Sequence, residues 1–301
     1  ARYPFPTDGA GMPLWRTLQP FPQLPEWQSL LAYNSPLGFA TYHSAQLTVT
    51  KRYSHGLAVL ASYTFSKTLD NMESAFNTWD ANTGRPLDYY NLRLEKAVSA
   101  FDQTHVIKAS ASYELPFGKG RAFASQLHPV LDAVLGGWTI QYLGNYASGM
   151  PLGFGATGTP NFNAAVNRAI IVNPSGLSLR SSSFKAANFD MSAVSTPGAT
   201  QNRYINTALV RDPVPNRYER GNAAPRYSNL RGFAYYGEDF GLQKNFRVAE
   251  RFRFQLRGEL LNGFNRHRFS GINTSPSSPL FGQITGISGN RTAQAGLRAE
   301  F

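Results

Sequence analysis

Residues 41–66 read TYHSAQLTVTKRYSHGLAVLASYTFS, two alternating runs that meet at the turn SHG. In the first run Ala45, Leu47, Val49 and Tyr53 fall on one face, and Gln46, Thr48, Thr50 and Arg52 on the other. In the second, Leu57, Val59, Ala61, Tyr63 and Phe65 oppose Ala58, Leu60, Ser62, Thr64 and Ser66. A period of two sends successive side chains to opposite sides of a strand, so the stretch predicts a two-faced β-hairpin.

The pattern recurs outward from there. THVIKASASYEL (104–115) sets Ile107, Ala109, Ala111 and Tyr113 against Lys108, Ser110, Ser112 and Glu114. GWTIQYLGNYASG (137–149) sets Trp138, Ile140, Tyr142 and Tyr146 against Thr139, Gln141 and Asn145, and HPVLDAVLGG (128–137) before it has room for one helical turn. DFGLQKNFRV (239–248) carries Phe240, Leu242, Phe246 and Val248 into a tight AER turn. FRFQLRGEL (252–260) then sets Phe252, Phe254, Leu256 and Leu260 against Arg253, Gln255, Arg257 and Glu259. FGQITGIS (281–288) and the closing RTAQAGLRAEF (291–301) bring the readable strands to eight.

Composition narrows the partners. The net charge is +11, but the 29 Lys and Arg are scattered between apolar residues instead of clustered in runs. That pattern fits charges lining one wall of a sheet and speaks against a nucleic-acid partner. With no cysteine, thiolate metal sites, disulfides and Cys nucleophiles are excluded. No apolar stretch approaches the ~18 to 20 residues of a membrane helix, so any crossing of a membrane uses strands.

Alternation also suits a soluble sandwich. Three features favour a membrane barrel instead. The strands run ~10 residues, the length of a tilted crossing. Tyr and Trp recur near strand ends, where amphipathic rings suit the headgroup layer, and Tyr53, Tyr63, Phe65, Tyr113, Trp138 and Tyr146 are the candidate aromatic girdle. Connections alternate between very short (SHG, AER) and very long, with long loops expected at about 67–103 and 150–228. Residues 1–36, rich in Pro and aromatics, read as an irregular segment ahead of a barrel region over 37–301.

Strand direction supplies a check. If the C-terminus is periplasmic, eight strands put SHG outside the cell and 67–103 in the periplasm, inverting the usual rule for loop lengths. A ninth strand within 150–228, expected around RYERGNAAPRYSNLRG (217–232), restores it. The predicted fold is therefore all-β, an antiparallel meander of about nine long strands forming part of a transmembrane barrel.

Several linked stretches carry a family resemblance: ARYPFP (1–6), TVTKRYSHGLAVLASYTFSKTLD (48–70), FDQTHVIKASASYELPFGKGR (101–121) and LGGWTIQYLGNYASGMPL (135–152). QKNFRVAERFRFQLRGELLNGFN (243–265), FGQITG (281–286) and GLRAEF (296–301) extend it. Together they resemble the C-terminal barrel region of Oar-like TonB-dependent receptors of Gram-negative bacteria. The resemblance covers most of the chain apart from 155–215, with one local departure: the family's usual Asn-Leu-Phe-Asn turn is NGFN here, Asn262 to Asn265. It implies 22 antiparallel strands around a plug, residence in the cell outer membrane, and uptake driven by the inner-membrane TonB complex. At ~30 residues per strand such a barrel needs roughly twice this length, so this chain is expected to be the C-terminal part of a longer receptor or a truncated gene product. The resemblance also gives the last strand a role. Ala295, Leu297, Ala299 and the closing Phe301 match the signal that the barrel assembly machinery reads.

Other motifs carry less. GFGATG (153–158) spells G-x-G-x-x-G, yet Pro160 and Asn161 stand where a helix must begin, so a Gly-rich loop is expected and no nucleotide cofactor. The five histidines, His43, His55, His105, His128 and His267, are dispersed without metal-ligand spacing, and no metal is expected. Adjacent acids such as Glu238 and Asp239 point to opposite faces of a strand, a poor acid/base geometry, and no catalytic residue is assigned. The polar row Arg253, Gln255, Arg257 and Glu259, with Arg298 and Glu300 on the last strand, is expected to line a lumen, as a substrate path or as a merely solvated wall. The function expected is energy-coupled uptake of a substrate across the outer membrane, without catalysis. Two other readings stay open: a passive porin or adhesin barrel, and a secreted soluble β-domain that binds glycans through its aromatics.

Overall fold

The computed structural model describes residues 38–71, 86–88, 91–126, 128–154, 167–172, 178–214, 219–248 and 252–300. The expectations for 1–36, for the AER turn and for Phe301 lie outside them. Seven long strands follow one another in chain order through a single antiparallel sheet. They are β1 (Ala40–Ser54), β2 (Leu57–Asp70), β3 (His105–Glu114), β4 (Trp138–Ala147), β5 (Tyr235–Val248), β6 (Phe252–Leu261) and β7 (Thr292–Glu300). A two-residue strand, Ala97–Val98, adds to the far end of β2.

The register keeps the two faces apart across the whole sheet. The row Leu47, Tyr63, Ile107, Tyr146 and Tyr236 crosses β1 to β5 on the apolar face. One residue along, Thr48, Ser62, Lys108, Asn145 and Gly237 cross on the polar face. A one-residue slip at any pair would exchange the faces, so the shared alternation fixes the pairing. A recess of about 620 Å³ touches β1 through β6, lined among others by Thr50, Ser112, Gln141, Asp239 and Arg257. The sheet therefore curls around its polar side.

Two of the nine expected strands are present but do not cross. Ile284–Ser288, read from FGQITGIS, pairs with Arg268–Ile272 in a separate hairpin. Tyr227–Arg231, the expected ninth strand, pairs with Pro151–Leu152. Each has five residues, against the roughly 9–11 a tilted crossing needs. A hairpin above a barrel satisfies period two as well as a crossing strand does, so alternation could not separate them. Seven is odd, as nine is, so the connections sort as expected by parity: 55–56, 115–137 and 249–251 join strands at one end, and 71–104, 148–234 and 262–291 at the other. We call these the turn end and the loop end.

No second layer covers the apolar face among the described residues. Leu47 is 62% exposed, Val49 52% and Leu297 68%. The packed core lies in the loops, where Ala169, Ile205, Leu230 and Ile284 are fully buried. Phe154, Phe184, Phe233 and Phe269 join it through edge-on and tilted ring contacts. Among the described residues no helix is long and apolar enough to cross a membrane.

Candidate functional site

The concave wall is a ladder of polar side chains. On it Gln255 opposes Arg298, Arg257 opposes Gly296, Glu259 opposes Gln294 and Arg253 opposes Glu300. Arg257 pairs with Glu259, and Arg298 with Glu300 at 2.8 Å. Gln255 Nε2 donates to Asn245 Oδ1 at 3.1 Å, and Gln294 Nε2 donates to Glu259. Pairs this exposed stabilise little, about 0–1 kcal/mol each. Set into this polar surface are three leucines. Leu60, Ser110, Leu143 and Asp239 follow one another across β2 to β5, Leu261 of β6 lines the same recess, and the three leucines are 52%, 58% and 44% exposed.

Of the aromatics singled out from the sequence, Tyr63, Phe65 and Tyr146 stand on the apolar face toward the loop end. Tyr63 Oη bonds His105 Nδ1 at 2.9 Å and stacks on its ring, Phe65 tilts against the same ring, and Tyr146 meets Tyr236 edge-on. Tyr113 and Trp138 lie on that face toward the turn end. Tyr53 departs from the expectation. The register shifts between Lys51 and Ser54, and Ser54 opposes Leu57 on the apolar face. The bulge thus turns Tyr53 to the polar side, where it hydrogen-bonds Glu114.

Two charges sit in the apolar register of β5: Glu238, weighed from the sequence only as a poor acid/base partner of Asp239, and Lys244, which sequence reasoning passed over. Glu238, 1% exposed, opposes Gly144 and takes Arg266 Nε at 3.0 Å on both carboxylate oxygens. The Arg266 guanidinium stacks over Tyr236 and Phe264, and pairing with Glu238 raises its pKa above the usual arginine value. Lys244 Nζ donates to the carbonyls of Val134 at 3.1 Å and Gly136 at 2.6 Å, and lies over the Trp138 ring. The available signal was the alternation itself, since a charge in an apolar register requires a partner. Asp239, one residue on, lies on the concave face and accepts the N–H of Asn262 at 2.8 Å.

The loops form a cap fastened to the strand ends by arginines, Arg226 buried and Arg231 and Arg168 partly so. Asp102, fully buried, accepts Thr68 N at 2.6 Å and Arg231 Nη2 at 2.6 Å, and Arg231 Nη1 donates to the carbonyls of Asp102 and Gly149 at 3.0 Å. Arg226 bonds Asp70 and the carbonyl of Val98, each at 2.5 Å, and Arg168 pairs with Glu95. Burial pushes the Tyr204 and Tyr227 hydroxyls up. Of GFGATG, Gly153 lies hard against the Pro225 carbonyl and Phe154 packs in the core; the rest lies outside the described residues. The NGFN turn ties β5 to β6 and β7. Asn262 and Asn265 take φ of 53° and 51°, Gly263 N donates to the Glu238 carbonyl, and Asn265 Oδ1 accepts Arg291 N. A Cβ at Gly263 would stand 2.4 Å from the Phe240 ring. Among the described residues no three His, Asp or Glu gather in a way that could hold a metal.

A single curved meander, polar within, apolar and uncovered without, and crowned by loops at one end, is the wall of an outer-membrane β-barrel. The family model described as "Outer membrane beta barrel domain" matches residues 8–294, so the chain belongs to that family and its place is the outer membrane. No curated protein and no solved structure matches it.

Proposed function

We propose that this chain is the barrel portion of a TonB-dependent receptor of the Oar-like kind, an energy-coupled importer that binds and gates without making or breaking covalent bonds. The observation that carries this reading is the set of three leucines on the concave face. A water-filled diffusion pore is lined by polar side chains. Half-exposed Leu60, Leu143 and Leu261 suit a wall that protein packs against, and the resemblance supplies that protein as a plug. The sheet's edges agree. Among the described residues β1 pairs only with β2, and β7 only with β6. Hydrocarbon does not tolerate unpaired backbone, and the further strands of a 22-stranded receptor would pair both of these edges. On this reading the outer face meets lipid, the terminal strand through Phe301 addresses the assembly machinery, and the loop end faces outside.

The test is conductance of the full-length gene product in planar bilayers, with crosslinking to the inner-membrane complex in energised cells. A plugged receptor stays closed and crosslinks. A steadily open channel without crosslinks would replace this reading with a passive porin.

A further inference from the structure

The connection 115–137 at the turn end contains α1 (Pro129–Leu135), a helix built inside out for a water-exposed surface. Its acidic residue faces the protein. Asp132 Oδ1 accepts the N–H of Lys119 at 2.6 Å and closes on Gly118 and Gly136, at both of which a Cβ would approach it within 3 Å. Its apolar residues face away: Val130, Leu131, Val134 and Leu135 are 66%, 51%, 61% and 50% exposed. Phe117 and Phe123, ring centroids 5.7 Å apart, stand exposed in the same connection.

The place where α1 hangs makes sense of this inversion. Its last turn is gripped by β-sheet residues of the apolar face, through Lys244 Nζ on the Val134 and Gly136 carbonyls and Trp138 Nε1 on the Val134 carbonyl at 2.9 Å. In register, Trp138 opposes Lys244 and Lys244 opposes Leu256, so α1 continues the outer apolar surface just past the strand ends. That surface meets the bilayer in a family that resides in the outer membrane. An apolar helix face lying level with headgroups, with the aromatic Trp138 beside it, is how interfacial helices sit. Lys119, whose N–H meets Asp132, stands beside it, a cation suited to phospholipid phosphate, whereas Arg121 is paired with Glu114 on the polar side.

We propose that 115–137 is a foot resting in the phospholipid leaflet at the turn end, with Val130, Leu131, Val134 and Leu135 dipping between headgroups. This rests on membrane residence and not on the transport reading. These 301 residues contain no cysteine, so once any cysteine elsewhere in the full-length protein is replaced, a single label reports one position. Full-length receptor carrying Val134→Cys with an environment-sensitive fluorophore is reconstituted in vesicles of phosphatidylethanolamine and phosphatidylglycerol. Leu256→Cys reports the barrel's outer face, and Ser192→Cys, in the cap, reports water. The expected result is several-fold stronger quenching at 134 by lipids spin-labelled near the headgroup than by aqueous iodide, with 192 showing the reverse. Iodide quenching at 134 matching that at 192 overturns the foot, and so does protection from both quenchers, which would mean a protein covers α1. If 256 also escapes lipid quenching, insertion of the barrel itself has failed, and that outcome is told apart by the control.

Discussion

The wall and the cap are built from one chain by opposite physics. In the wall, Leu47, Val49 and Leu297 stay more than half exposed, and order comes from backbone pairing between long, regular strands. In the cap, regular pairing is confined to short hairpins, and order comes from a closed apolar core with buried ion pairs around it. The wall's apolar face finds its environment in a fluid. The cap makes its own. Side chains of the same chemistry therefore carry different energies in the two regions, and substitutions can measure the difference.

The largest effect is expected where the regions join. Asp102→Ala leaves Arg231 without its carboxylate and frees the Thr68 N–H, and breaking a buried pair in this way costs roughly 3–5 kcal/mol. Hydrogen exchange should accelerate throughout the cap while β3 to β6 stay protected. Equal loss in both regions would mean that wall and cap unfold as one unit.

A matched pair of truncations sharpens the contrast. Leu230→Ala removes a fully buried side chain and leaves a hole that the packed cap cannot fill, at a cost of about 3–5 kcal/mol. At Leu47 acyl chains flow into the gap, so Leu47→Ala loses only the transfer part, roughly 1–2 kcal/mol. Denaturant unfolding in bilayers gives both values, and equal costs would place Leu47 in a rigid contact instead of a lipid one.

The smallest effect concerns pH. Hydrogen bonds from the Ser192 hydroxyl, then from its backbone N–H, hold Asp190 below the usual carboxylate value. A depressed folded pKa gives stability that is present above the unfolded value, about 3.9, and lost as pH falls through the folded one. Burial shifts Asp212 the other way, so the whole-protein pH curve mixes the two signs. Comparing wild type with Asp190→Asn isolates the first: opening around 190–193 should steepen in acid only in the wild type, as read by amide exchange.

The wall was legible because its cause is local. Ala45, Leu47 and Val49, or Phe254 and Leu256, declare a face within a few residues, and lipid demands the same alternation of every strand. The cap was not, because its causes are distant: Asp102 meets Arg231 across 129 positions, and Asp70 meets Arg226 across 156. No local pattern announces such pairs. Between the extremes lie Tyr53, moved by a bulge that alternation does not reveal, and Glu238 and Lys244, visible as misfits whose partners stood elsewhere. Of the candidate site, the polar row of β6 and β7 and the placement of Leu60 were readable, whereas the gathering of Leu60, Leu143 and Leu261 around one recess needed the register.

The cap core draws on two separate connections: Ile205 and Leu230 come from 148–234, and Ile284 from 262–291. Tyr204 and Ile205 both donate backbone N–H groups to the Gly282 carbonyl, so neither half is complete alone. Between those halves run β5 and β6. It follows that the crown needs both connections at the same end of the sheet, with the β5–β6 hairpin joining them from below. A chain that lacked 262–291 would leave the side of Ile205 and Leu230 that Ile284 covers without its lid, so the crown reports that both loops are in place.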